Sequence, residues 1–355
     1  MSSTVTTTAP AIPVLDLRRW DAGTTERAAL AAEMGRVCHE VGFFYAEGHG
    51  VDDAFLERYF GALQAFFALP EEVKARIDKR HSPHFRGWER IGAELTNNRP
   101  DHREQLDVST ENPPYERGAD PAFLHLAGPN QWLPEDVLPG FRELVGEYFR
   151  RMDALARRIM SIMAVGLELP ADTFDALFGE RTHSLAKLIS YPPTPPGEAG
   201  VNGHHDAGFL TVLAQFGVGG LQALLPDGNW ADVAPRPGAF VINTGEMLQE
   251  LTGNYVVAAT HRVITGEPRF SAAYFHGPDL RTELNALPLA ERFRAAVAAS
   301  PRHANAGFMA RRNELEAGVE GIASRQGAGV YGQQLWNYYC RSYPDNVAAH
   351  YPELV

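Results

Sequence analysis

The stretch VNGHHDAGFLTVL, residues 201–213, sets two histidines and an aspartate side by side, directly ahead of a strand-like apolar run. Along an extended chain, residues two apart share a face and adjacent residues point to opposite faces. His204 and Asp206 are therefore expected to converge on one point, with His205 turned away. This is the only His-x-Asp in the chain. One His-x-Glu competes, at His102 and Glu104, but no later histidine stands in a comparable strand context to complete it.

A pair of ligands needs a third. His261, in the β-branched run VVAATHRVIT, is the candidate. Two imidazoles and one carboxylate on a triangular face leave three coordination positions open, the ligand set typical of non-haem Fe(II) centres. A solvated turn or a surface pair is the alternative for His-x-Asp taken alone. Further along, Arg269-Phe270-Ser271 puts an arginine and a hydroxyl on one strand face. Such a pair can clamp a carboxylate through charge-assisted hydrogen bonds, or form an ordinary ion pair.

Around these residues, from 184 onward, short apolar runs follow one another with Gly, Pro, Asn and Asp between them: SLAKLISYPP, GFLTVLAQF, GLQALLP, WADVAP, AFVINTG, YVVAATHRVIT and RFSAAYFHG. Asp-Gly in LLPDGNWADV is a hairpin signal. Strands at this spacing suggest a sandwich, barrel or jelly roll. Upstream, IPVLDL (12–17) reads as an edge strand, about 24–48 begins with TTERAALAAEMGRVCHEV at helical spacing, GFFYAEGHGV (42–51) reads as a strand, and about 52–68 as a second helix that Pro70 stops. Segment 83–113 reads as two strands joined by a polar turn, and about 134–180 as a long amphipathic helix. The chain turns helical again from about 288. No composition break marks a linker, so the expected organisation is a flexible arm over 1–11 and one unit over 12–355. Within that unit, 12–183 is helix-rich, 184–280 holds the β core, and 281–355 is helical.

Composition bounds the function. The 355 residues are 45% hydrophobic and 21% charged, ordinary for a soluble globular protein, and the formal net charge is -12. That charge argues against nucleic acid and against an anionic membrane surface as partners. Cys38 and Cys340 make no disulfide framework and fit a reducing cytoplasm. The first residues, MSSTVTTTAPA, have neither the basic nor the apolar region of a signal peptide, and no run approaches membrane-spanning length.

The run from YPPTPPGEAGVNGHHDAGF to PRFSAAYF resembles the core of the isopenicillin N synthase-like 2-oxoglutarate/Fe(II)-dependent oxygenases. IPVLDL, VGFFYAEGHGV, FFALPEEVK, RGWERIGAE and GPNQW stand in that family's usual order, and YGQQLWNYYCRSYPDNVAAHYP is similar to its C-terminal helix. The resemblance spans about 12–351. It implies an α+β fold with a double-stranded β-helix (jelly-roll) core flanked by N-terminal and C-terminal helices. It also implies a dioxygenase that hydroxylates, desaturates or cyclises at an unactivated C–H of a small molecule, using O2 and 2-oxoglutarate and releasing succinate and CO2. Ascorbate would serve as reductant in vitro. His204, Asp206 and His261 match the iron ligands, Arg269 and Ser271 the pair that holds the distal carboxylate of 2-oxoglutarate, and Tyr191 a tyrosine that assists. His205 takes the variable middle position. Arg86 matches a substrate-binding arginine of some members, or makes a structural ion pair, and Glu104 is expected near the pocket. Trp336 and Tyr338 form either a lid or the face of a docked helix. Monomers or weak oligomers are common for the fold. Two alternatives stay open: an Fe(II) oxidase of the isopenicillin N synthase or aminocyclopropane-carboxylate oxidase type, which carries Arg-x-Ser yet uses no 2-oxoglutarate, and a non-catalytic metal-binding module.

Overall fold

A computed structural model describes residues 12–97, 99–116, 121–179, 181–300 and 329–354. The arm expected over 1–11 lies outside these residues, as do 301–328 of the C-terminal region.

The strands are β1 (Val14–Asp16), β2 (Phe43–Glu47), β3 (Gly87–Glu89), β4 (Leu95–Thr96), β5 (Arg99–Pro100), β6 (Glu104–Ser109), β7 (Leu185–Tyr191), β8 (Val201–His204), β9 (Leu210–Gln215), β10 (Leu221–Leu224), β11 (Trp230–Asp232), β12 (Ala239–Thr244), β13 (His261–Val263) and β14 (Arg269–His276). A large sheet runs β1-β2-β12-β9-β14-β7-β6-β3, and a small one runs β11-β10-β13-β8. The two sheets share a core. Phe43, Ile189, Tyr191, Leu213, Val241 and Ala273 of the large sheet pack with Val201, Leu221, Ala223 and Val263 of the small one. Alternate residues of the same large-sheet strands, such as Phe44, Leu188, Val212, Ile242 and Tyr274, face the other way into a helical core. This two-faced sheet gives the expected α+β jelly roll. The Asp-Gly hairpin is the β10–β11 turn, where Leu224 pairs with Trp230 and Gly228 sits at φ 83°.

The helical layer comprises α1 (Thr24–Glu40), α2 (Asp53–Phe67), α3 (Glu71–Lys74) and α4 (Phe141–Gly166). The Asp52 carboxylate caps α2 by accepting from the Phe55 N–H at 2.7 Å. α4 buries a stripe that includes Val145, Tyr148, Met152, Leu155, Ile159 and Met163. It crosses α1 where Gly35 meets Gly166; a Cβ on Gly35 would stand 2.8 Å from the Gly166 carbonyl oxygen. The helix is shorter than the 134–180 its pattern suggested. Pro139-Gly140 delays its start, and left-handed Glu168 followed by Pro170 ends it.

Two further differences lie close to the site. YVVAATHRVIT is strand only at His261–Val263; its first half docks instead on α1, with the Val257 N–H donating to the Cys38 carbonyl. A short helix, α5 (Glu246–Leu251), follows β12 without an amphipathic signature long enough to read. At the C-terminal side stand α6 (Glu291–Ala299), α7 (Tyr331–Ser342) and α8 (Pro344–His350). Trp336 is buried edge-on against Phe85, so it is the face of a docked helix.

Candidate metal centre

His204 ends β8 and pairs across an antiparallel register with His261, the first residue of β13. The chain leaves β8 and turns, bringing Asp206 back over the pair. The turn is pinned from α5: the Glu246 N–H donates to the Asp206 carbonyl at 2.8 Å, and Gly245 supplies the clearance, since a Cβ there would stand 3.0 Å from that oxygen. One ligand atom from each of His204, Asp206 and His261 lies within 4.8 Å of the others.

Each ligand is oriented by a second group. The Asp206 Oδ2 accepts from Thr211 Oγ1 at 2.5 Å and from Asn243 Nδ2 at 2.7 Å. Its Oδ1 is left facing His204 Nε2 at 3.5 Å and His261 Nε2 at 3.6 Å. His204 Nδ1 donates to the Asn202 carbonyl at 2.8 Å, and His261 Nδ1 to the Ala259 carbonyl at 3.1 Å. A carbonyl only accepts, so both rings carry their proton on Nδ1 and turn Nε2 lone pairs toward Asp206.

The electrostatics agree. Burial pushes the Asp206 carboxyl up, but the His261 and His204 imidazoles hold it well below the usual carboxylate range. Burial, and then the neighbouring His204, push His261 down to about 4. At neutral pH the pocket thus presents an ionised carboxylate and a neutral imidazole, the forms a metal cation requires. Burial pushes His204 down, but the Asp206 carboxylate and the Asn202 carbonyl together raise its pKa. His205 is turned away, with Nε2 2.8 Å from Thr260 Oγ1.

Arg269 and Ser271 face the interior from β14, and Tyr191 pairs with Arg269 from β7. Arg269 is 1% exposed. Its guanidinium donates to Ser271 Oγ at 3.0 Å and to Gln215 Oε1 at 3.1 Å, and lies 4.9 Å from the centre of the Tyr191 ring. Among the described residues no carboxylate pairs with it, and Nε has no partner. Burial accordingly lowers its pKa. A buried arginine without a counter-charge is costly, and a ligand carboxylate in this place removes the cost. The donor set at the triad fits Fe(II), and the arginine fits the carboxylate of an oxo acid.

The two expected substrate contacts are not brought to this site. Arg86 Nη1 donates to the Thr110 carbonyl at 3.2 Å and to that of Gly128, and Nη2 to that of Leu126 at 2.8 Å, tying the 126–128 segment to the sheet edge. Glu104 lies on the helical face of β6, where Lys74 Nζ donates to it at 2.6 Å and Trp88 Nε1 at 2.9 Å. Strand alternation puts Gln105 and Asp107, not Glu104, on the interior. Thr211, Gln215, Asn243 and Asn202 serve the site without being among the residues the sequence points to. Alternation along β9 would have found Thr211 and Gln215, which share a face; Asn243 and Asn202 carry no signal of their own.

Residues 12–135 match the family described as non-haem dioxygenase in morphine synthesis N-terminal, and 182–278 match the 2OG-Fe(II) oxygenase superfamily. A 2-oxoglutarate-dependent dioxygenase of Dothideomycetidae sp. (strain 11243) is 34% identical over 276 residues, covering 75% of this chain and 74% of its own. An Arabidopsis thaliana homoarginine-6-hydroxylase is 30% identical over 285 residues, covering 75% and 84%. Neurospora crassa T7H, solved with alpha-KG and thymine, superposes with TM-score 0.70 at 26% identity, covering 79% of this chain and 91% of its own.

Proposed function

The chain belongs to the 2-oxoglutarate/Fe(II)-dependent oxygenases, and from that premise we propose that His204, Asp206 and His261 hold its iron while Arg269, with Ser271 and Tyr191, grips the distal carboxylate of 2-oxoglutarate. It is an oxidoreductase whose cofactors are Fe(II) and 2-oxoglutarate. When bound, these supply an O2-dependent oxidation of a substrate C–H with succinate and CO2 as co-products.

The protein's own contribution is orientation and exclusion. Thr211 and Asn243 fix the Asp206 carboxylate so that a single oxygen faces the metal position. The Asn202 and Ala259 carbonyls hold both imidazoles in the ligating tautomer. Arg269 supplies a desolvated cation that sets the length and the charge of the co-substrate. The apolar rows between the sheets keep bulk water away.

The single observation that carries the reading is the buried, carboxylate-free Arg269 on the same interior as the triad. The oxidase alternative carries the same Arg-x-Ser pair, so it is the similarity to 2-oxoglutarate-dependent dioxygenases, at 34% identity over 276 residues, that favours 2-oxoglutarate. The substrate is a small molecule. We assign residues 12–355 to one oxygenase unit. The net charge of -12 supports a monomer or weak oligomer without nucleic-acid or membrane partners, and Cys38 and Cys340, both free, support a cytoplasmic site. Among the described residues no helix is long and apolar enough to cross a membrane. The test is succinate release coupled to a substrate: His204→Ala and Arg269→Ala both abolish it, and persistence in either variant contradicts the assignment.

A further inference from the structure

Beside the triad, where Tyr338 and Tyr343 cover β6 and β7, lies a buried ionic cluster that the metal site does not use. Lys79 Nζ donates to Glu89 and Asp107, each at 2.7 Å. Lys187 Nζ donates to Asp107 at 3.0 Å, to Glu94 at 3.1 Å and to the Tyr343 hydroxyl at 3.0 Å. Arg103 Nη2 donates to Glu94 at 2.6 Å and stands 3.1 Å from Asp101. Tyr338 of α7 joins the cluster by donating to Glu94 at 2.7 Å. All seven charged groups are at most 8% exposed, and the four carboxylates Glu89, Glu94, Asp101 and Asp107 outnumber the three cations.

A cluster serving only the fold closes on itself, because an unpartnered buried polar atom is costly. This one does not close. Arg103 Nε, Gln105 Oε1 and Asp107 Oδ1 have no partner, and the three residues alternate along one face of β6 and the position before it. That face is the interior one. Gln105 pairs with Ile189 and Asp107 with Lys187, and those residues pair in turn with Ser271 and Ala273. The row thus stands two strands, about 10 Å, from the Arg269–Ser271 pair. At its other end it adjoins the metal position: Asp101 accepts from the Asn202 N–H at 3.3 Å and from its Nδ2 at 3.2 Å, and the Asn202 carbonyl holds His204.

We propose that this row is the substrate-recognition surface, and that it takes a small nitrogenous polar molecule whose N–H groups are received by Gln105 Oε1 and Asp107 Oδ1 and whose carbonyl or carboxylate oxygen is received by Arg103 Nε. The inference rests on the oxygenase reading above. Two unpaired acceptors against one unpaired donor, all three buried and within a surplus of carboxylates, select a donor-rich ligand. A terpenoid or acyl chain would leave all three atoms unpaired and is rejected for that reason. Both a cationic amine and a neutral ring N–H satisfy the row, and the test separates them.

The wild-type protein is loaded anaerobically with Fe(II) and 2-oxoglutarate and titrated with L-lysine (ammonium plus carboxylate), with hydantoin (neutral N–H plus carbonyl) and with geraniol (apolar), following the visible charge-transfer band. Succinate release is then measured in air. The expected result is a saturable shift of the band and at least tenfold faster succinate release with one of the nitrogenous probes, and no response to geraniol. L-Lysine responding alone identifies a cationic substrate, and hydantoin responding alone a neutral one. Gln105→Leu removes the open acceptor, and Arg103→Lys keeps the cation while removing Nε. Each is expected to weaken the responding probe at least tenfold in whichever variant retains the 2-oxoglutarate band, which serves as the folding control. A normal band with no response to either nitrogenous probe, or a response that both variants leave unchanged, overturns this inference alone. Absence of the band from the wild type overturns the oxygenase site and the inference with it.

Discussion

Replacing Thr211 with valine tests whether the metal position depends on the orientation of Asp206. The Thr211 hydroxyl makes the shorter of two hydrogen bonds to Asp206 Oδ2, 2.5 Å against 2.7 Å from Asn243. Valine keeps the β-branched shape on β9 and removes only the donor, so no cavity accompanies the change. A hydrogen bond to a charged acceptor contributes about 1.5–3 kcal/mol. Only the part of that energy that keeps Oδ1 aimed at the two Nε2 atoms enters the metal affinity. At 1.4 kcal/mol per decade, a loss of roughly tenfold to hundredfold follows, the range expected for a group that orients a ligand. The assay is anaerobic Fe(II) titration against a competing chelator, on protein checked for an unchanged fold by circular dichroism. A Thr211→Val protein that binds Fe(II) as tightly as wild type would refute the claim that the hydroxyl fixes the carboxylate.

Two further outcomes are expected. Glu104→Gln breaks the partly buried pair with Lys74 and lowers stability by about 1.5–3 kcal/mol, read as a lower denaturant midpoint, while 2-oxoglutarate affinity stays unchanged because Glu104 points away from the interior. A weakened 2-oxoglutarate band at full folding would return Glu104 to the site. Stability should also fall in acid. Burial pushes His276, stacked on Phe178, down to about 3. Its folded pKa lies below the unfolded value, so the unfolded chain binds the extra proton between about pH 6.5 and 3, and stability is lost as pH falls through that window, at up to about 1.4 kcal/mol per pH unit. Urea midpoints measured from pH 7 to 4 should show a flatter slope in His276→Gln, and an identical slope would contradict the assignment.

What the sequence discloses is what depends on local spacing. The period of two says that His204 turns inward and His205 away, although Asp206 reaches the site through the turn after β8, and the same rule pairs Arg269 with Ser271. Partners distant in sequence are different. Asn243, whose amide holds Asp206, is an ordinary residue in AFVINT until β12 is laid beside β9. The same rule, applied to REQLDVS, assigns Glu104 to the helical face once the interior face of β6 is known, but only the sheet order says which face that is. Over 134–180 the helix is shorter than its pattern predicts, because periodicity runs on through Leu167 and Leu169, where left-handed Glu168 has already broken the helix. The buried cluster of Glu94, Arg103, Asp107 and Lys187 is unreadable as sequence, since each charge taken singly looks like solvated surface.

The central claim is that Arg269 and the His204–Asp206–His261 triad together form a site for 2-oxoglutarate on iron. Its most direct test is anaerobic titration of the Fe(II)-loaded protein with 2-oxoglutarate, observing the visible metal-to-ligand charge-transfer band. The account predicts a saturable band in the wild type, a band shifted to much higher 2-oxoglutarate concentration or lost in Arg269→Ala, and none in His204→Ala. Iron demonstrably bound with no band at any 2-oxoglutarate concentration would contradict it.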